Sequence, residues 1–195
     1  MAGKIITNSV QLGDSITDSQ NFLLTTNIDG TAKLSRGAAG TLGDILTINS
    51  AGVVTLPGNI TPVFSVYQST LQSIAASTAV KVQFQSKEFD NTSAFDATTN
   101  YRFQPTVAGY YQANWMVFQL GASETQQSLL YKNGIVYKAG AYISTLNNPL
   151  TGGSALVYLN GSTDYIEIYE FASIAGNTVA GSTNTYFQGY LVARG

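Results

Sequence analysis

The acidic residues of "DYIEIYE", Asp164, Glu167 and Glu170, are the densest carboxylates in the chain, and a pair of carboxylates is the equipment of a glycoside hydrolase. Strand periodicity sets Glu167 on the face opposite Asp164 and Glu170, so an acid and a nucleophile would have to come from adjacent strands. A second stretch, "FDNTSAFD", sets Asp90 and Asp96 on either side of a polar loop. It reads as a solvated loop or as the carboxylate and carbonyl donors of a calcium site. The Asn-x-Ser/Thr triplets at Asn59, Asn91 and Asn160 read as ordinary composition, and the glycines at 121, 140, 152, 153, 161, 176 and 181 lack phosphate-binding spacing and read as turns. The chain has no Cys and no His. That removes disulfides, the usual zinc ligand sets, thiol nucleophiles and every Ser/His/Asp triad. No catalytic, cofactor-binding or metal residue is expected, and the chain reads as a non-enzyme.

Composition points to self-association. Charged residues are only 10% of the 195 while hydrophobic residues are 44%, so the surface must be finished with Ser, Thr, Asn, Gln and Gly. A net charge of -2 with nine scattered basic residues gives no footprint for phosphate backbones or anionic membranes. Neither nucleic acid nor membrane insertion is expected. The N-terminal "MAGKIITNSVQLGDS" meets polar residues before any apolar run of signal-peptide length, and nothing later approaches the roughly 18 continuous apolar residues of a membrane span.

The elements that would position these groups are short strands. "LTTNIDGTAKL" (Leu24 to Leu34) and "LTINSAGVVTL" (Leu46 to Leu56) share L-T-x-N-x-x-G-x-x-x-L at an offset of 22 residues. Each reads as a hairpin whose Asn-x-x-Gly turn supplies a polar cap and a positive-φ position. Two such hairpins bury too little to stand alone and should need each other, a symmetry mate or a docking surface, and the glycine-rich "SRGAAGTLGD" between them reads as a flexible linker. "PGNITP" (Pro57 to Pro62) marks the boundary between an N-terminal arm, residues 1–61, and a second domain, residues 62–195. Beyond it, six alternating runs separated by turns, with no helical period, predict an antiparallel sandwich. Asn133-Gly134 between "LLYK" and "IVYK" predicts a two-residue type I′ hairpin.

In "GYYQANWMVF", Tyr111, Ala113, Trp115 and Val117 fall on a core face and Tyr110, Gln112, Asn114, Met116 and Phe118 on the other, a set too apolar for solvent and too polar for a sandwich interior. Similarly "ALVYL" leaves Leu156 and Tyr158 outward, and "YFQGYLV" separates Tyr186, Gln188 and Tyr190 from Phe187, Gly189 and Leu191. Tyr110, Asn114, Met116, Phe118, Leu156, Tyr158, Tyr186 and Tyr190 are therefore the expected residues of a subunit interface.

Spaced out, the middle of the domain reads Phe84, five residues, Asp90, four residues, Phe95, seven residues, Phe103, five residues, Gly109-x-Tyr111-x-Ala113-x-Trp115. With "YFQGYL" near the C-terminus and "GGSALVYLNGSTDYIEI" as a penultimate hairpin, this resembles the C1q domain over about residues 63 to 193. It departs by one extra residue before Phe103, by Ala113 in place of an aromatic and by an extra residue in the turn before Asp164. Joined to the arm, and without a collagen-like Gly-x-y period, the chain resembles bacteriophage virion proteins with a C1q/tumour-necrosis-factor-like domain. That resemblance implies an all-β, C1q/TNF-like antiparallel jelly roll, homotrimeric, carried on the virion as a fibre of head or tail or as a capsid decoration. It implies docking to other virion proteins through residues 1–61 and a host-surface glycan or protein as a further partner, with no cofactor. A secreted or cell-surface lectin-like C1q module and a fibre-borne polysaccharide hydrolase are the alternative readings.

Overall fold

The computed structural model describes residues 9–12, 22–27, 29–36, 43–55, 61–120 and 122–195, and among them every regular element is a β-strand. The chain divides into two compact units, Met1–Ile60 and Thr61–Gly195.

In the first unit the two repeats fold alike because their turns are built alike. Asn27 N–H donates to Thr31 O at 2.7 Å and Gly30 N–H to Asn27 O at 3.1 Å; Asn49 and Gly52 repeat this with Val53 and Asn49, at 3.0 and 2.9 Å. Gly30 and Gly52 hold φ of 82° and 78°, the left-handed region where a Cβ is penalised. The strands β1 (Ser9–Leu12), β2 (Phe22–Thr26), β3 (Ala32–Arg36), β4 (Gly43–Ile48) and β5 (Val54–Thr55) form one five-stranded meander in that order. The two repeats cover each other's edges, since β3 pairs with β4 from Ala32↔Ile48 to Arg36↔Gly43. One correction follows. The ends of the expected linker, Ser35–Arg36 and Gly43–Asp44, are thus paired strand, while residues 37–42 lie outside the described residues.

The second unit runs β6 (Val63–Tyr67), β7 (Gln72–Ile74), β8 (Thr78–Lys81), β9 (Ser86–Asp90), β10 (Phe95–Asp96), β11 (Arg102–Phe103), β12 (Gly109–Leu120), β13 (Ala122–Lys132), β14 (Ile135–Asn147), β15 (Leu150–Leu159), β16 (Ile166–Ala172), β17 (Gly176–Thr178) and β18 (Tyr186–Arg194). One sheet has the order β7-β17-β12-β18-β6-β9, with β15 also paired to β12; the other has the order β10-β11-β16-β13-β14. The Asn133-Gly134 turn closes β13 onto β14 with Lys132↔Ile135, both turn residues at positive φ (52° and 78°), as type I′ requires.

The residues that carried the C1q resemblance meet in the space between the sheets. Phe64 stacks on Phe103 at 4.1 Å and meets Phe187 edge-on at 4.9 Å, with Phe95 at 5.8 Å. Phe84, Tyr111, Ala113, Trp115 and Val117 join the same buried cluster. Each fully buried phenylalanine contributes about 1.5–3 kcal/mol, so this cluster is the largest stabilising block in the unit. Gly189 in "YFQGYL" is required by close approach: a Cβ there would lie 2.6 Å from Gln112 O and 2.9 Å from the Phe64 ring. "GGSALVYLNGSTDYIEI" is not a hairpin. β15 pairs with β12 in one sheet and β16 with β13 and β11 in the other, so the segment crosses the sandwich.

Candidate functional site

The carboxylates of "DYIEIYE" lie on different faces and each is committed to a partner. Asp164 accepts from Asn133 Nδ2 at 2.8 Å, pairs with Lys132 at 2.9 Å, and is held below the ordinary carboxylate range by those two bonds. Glu167 pairs with Lys81 under Tyr169, and Tyr169 stacks on Tyr131 at 4.0 Å. Glu170 is turned into the core, fully buried, with Thr151 Oγ1 2.9 Å from its Oε2. No two of them face a common space, and this stretch supplies structure.

Asp90 and Asp96 are loop organisers. Asp90 accepts from Ala94 N, Phe95 N and Lys87 Nζ at 3.1, 2.9 and 2.8 Å. Burial pushes its carboxyl up, but these donors outweigh it and leave it below the ordinary range. Asp96 is depressed far more, by the Thr99 and Thr98 amides at 3.0 Å each and by Asn100 through its backbone and side chain. Their lone pairs are occupied by donors, and among the described residues no group of three acidic, His or Cys side chains gathers for a metal. Beside this loop lies a cleft of about 360 Å³ containing Asp96, Asn100, Arg102 and Gln104. The Arg102 guanidinium lies 4.2 Å above the Tyr165 ring and donates to Gln104 at 2.8 Å.

The expected interface residues all fall on the outward rows of one sheet. Register sets Tyr110 opposite Tyr158, Gln112 between Leu156 and Tyr190, Asn114 opposite Gln188, and Met116 opposite Tyr186. Directly paired residues share a face in an antiparallel sheet, so β15, β12 and β18 present a single surface. Tyr110, Leu156, Tyr158 and Tyr190 are exposed by 46, 51, 40 and 48%, while Asn114, Met116, Phe118 and Tyr186 are half-buried. Tyr110 and Tyr158 rings sit 5.3 Å apart. On the β6 side, Val63, Phe89, Asn114, Gln188 and Tyr190 border a cleft of about 230 Å³. With strands roughly 4.8 Å apart and residues roughly 3.3 Å apart, the surface, its amides included, covers on the order of 500 Å², the size of the largest exposed patch on a typical monomer, which is often a functional one.

A second apolar surface was not expected from the sequence. β14 is the last strand of its sheet, and Ile135, Val136, Tyr137 and Tyr142 stand exposed along it, Ile135 by 74%. The alternating "GIVYKAG" signals a strand, but nothing local says that it is an edge. Tyr137 Oη donates to the backbone carbonyl of Leu156 at 3.2 Å, which ties β14 to the β15 main chain.

No protein-family model matches the chain, and no curated protein is similar to it in sequence. Solved structures are similar. Eiger TNF from S. frugiperda superposes with a TM-score of 0.58 at 10% identity, covering 69% of this chain and 94% of that one. Murine APRIL at pH 5.0 gives 0.56 at 11% identity, over 68% of this chain and all (100%) of that one. The globular domain of zebrafish complement 1qA gives 0.50 at 20% identity, over 69% and 99%. At these identities the likeness is one of fold alone: the described residues form β-strands only, and the second unit carries a C1q/TNF-like jelly roll.

Proposed function

We propose that the protein is a non-enzymatic structural component of a virion, a homotrimeric fibre or decoration knob attached to the particle through residues 1–61. The observation that carries the assembly is the pair of unlike apolar surfaces on one unit: the face of β15, β12 and β18, and the edge of β14. Two different patches on one chain make a heterologous contact, which covers all apolar surface only if the rotation closes into a ring. The C1q/TNF-like fold supports three as the number that closes it. Low charge, at 10% of residues, removes the repulsion that would oppose packing copies around an axis. The particle location rests on the resemblance of the arm and knob together to phage virion proteins. The cleft beside Arg102 and Tyr165, with its planar cation on an aromatic ring and its amides, is the surface best suited to a host glycan.

Light scattering of the full chain tests assembly, with an expected mass of three times 20.7 kDa. A monomer at micromolar concentration overturns the reading. Immunogold labelling of intact particles tests the location, and absence of label from every particle class removes the virion assignment.

A further inference from the structure

The five-stranded sheet of the first unit is amphipathic across its whole width. Register aligns Leu24, Leu34 and Leu46 in one row and Thr26, Ala32, Ile48 and Val54 in the next. Rows of directly paired residues alternate between faces. The row between these two, Thr25, Lys33 and Thr47, therefore belongs to the opposite face and is polar. β3, which carries Leu34, is the central strand. These two rows carry no charged residue, and Leu24 and Val54 in them are exposed by 47 and 56%; the pair Phe22 and Arg36, two residues from Leu24 and Leu34, ends the uncharged part of the face.

We infer that this face is covered by the same face of two further copies, so that three arms close into a three-sided stem with the leucine rows along its axis. The inference rests on the trimer proposed above. Five strands at roughly 4.8 Å and five residues at roughly 3.3 Å give a face on the order of 300 Å² per copy. Three such faces reach only the neighbourhood of 1,000 Å², the lower limit of a specific interface. Free arms would associate weakly, but arms joined to a trimeric knob meet at an effective concentration of roughly millimolar, which closes the gap. With three chains held together, a face-to-face pair leaves the third face in water; a threefold arrangement covers all of them. The charge distribution of these two rows agrees: an axis multiplies any charge placed on it, Lys33 lies on the other face, and Arg36 comes only at the end of β3, beyond the leucine row. On this reading, the surface of residues 1–61 that docks to the particle is not the leucine face.

The chain has no Cys, so introduced thiols report contacts directly. Leu34→Cys in the full chain places three thiols at the axis, where two pair and one is left over, and oxidation should convert roughly two thirds of the chains to disulfide-linked dimers. Lys33→Cys should remain uncrosslinked, and Leu46→Cys serves as a second probe if Leu34→Cys does not fold. A trimeric mass with no crosslink at Leu34 or Leu46, or with equal crosslinking at Lys33, overturns the stem and assigns the face to a particle protein. A monomeric mass overturns the trimer itself and the stem with it.

Discussion

Replacing Glu170 with Gln should stabilise the protein at alkaline pH and remove a pH dependence that the described carboxylates Asp90, Asp96 and Asp164, all held below their ordinary range, do not supply between pH 5 and 9. Glu170 is fully buried on the inward face of β16. Its Oε1 has no hydrogen-bond partner among the described residues, and burial pushes its pKa to about 8, against 4.5 for an ordinary glutamate, with the Thr151 bond opposing. The folded state therefore holds the carboxyl protonated up to about pH 8, while the unfolded chain releases the proton above 4.5. A proton bound in the folded state and lost in the unfolded one means that stability falls as pH rises. The contribution is complete below pH 4.5, declines between 4.5 and about 8, and is level above. At about 1.4 kcal/mol per pH unit, the gap amounts to about 5 kcal/mol. When neutral, Glu170 can donate to Thr151 Oγ1, which in turn lies 3.3 Å from Val117 O, so the acid completes a buried chain of donors that the anion interrupts. The assay is urea unfolding of the full chain and of Glu170→Gln from pH 5 to 9 at one protein concentration. The chain has no histidine, so no other side chain ordinarily titrates between pH 5 and 8. The two proteins should have similar midpoints at pH 5 and diverge toward pH 9 in favour of the variant. Parallel curves across that window would refute the reasoning.

Tyr190→Asp should convert the trimer to monomer in light scattering, because the outward row of β18 would carry a carboxylate into each contact at a cost of several kcal/mol; an unchanged mass would make Tyr190 ordinary surface. Gly189→Ala should destabilise by about 1–3 kcal/mol in urea unfolding, since the added methyl meets the Gln112 carbonyl and the Phe64 ring, and an unaltered midpoint would show that β18 has room. A chain beginning at Val63 should fold and assemble with the full-length melting transition for this unit, and failure to fold would make the first unit part of its core.

Much of the second unit was legible because strand alternation is a local property. The expected core face of β12, Tyr111 through Val117, is buried at every second position, and the outward residues fall where the period sets them. Asn133-Gly134 and the two Asn-x-x-Gly turns are short-range chemistry of the same kind, in which a positive φ selects the residue. Period alone also set Glu167 and Glu170 on opposite faces.

What the period cannot carry is which strand lies beside which. The joining of the two repeats through β3 and β4, the crossing from β15 to β16 and the exposure of Ile135 on an edge all follow from pairing between distant segments, whose stability is shared by both partners. Glu170 shows the consequence for chemistry. Its sequence context, "YIEIYE", distinguishes it little from Glu167 three residues earlier. Yet Lys81, from a strand far away in sequence, meets one carboxylate at the outer face of the sheet, while the other is closed over by the opposite sheet beside Thr151. Face and turn were determined by the sequence through steric preferences within a few residues. Neighbour, edge and protonation state were decided only by the tertiary structure, because burial and charge depend on what the rest of the chain brings alongside.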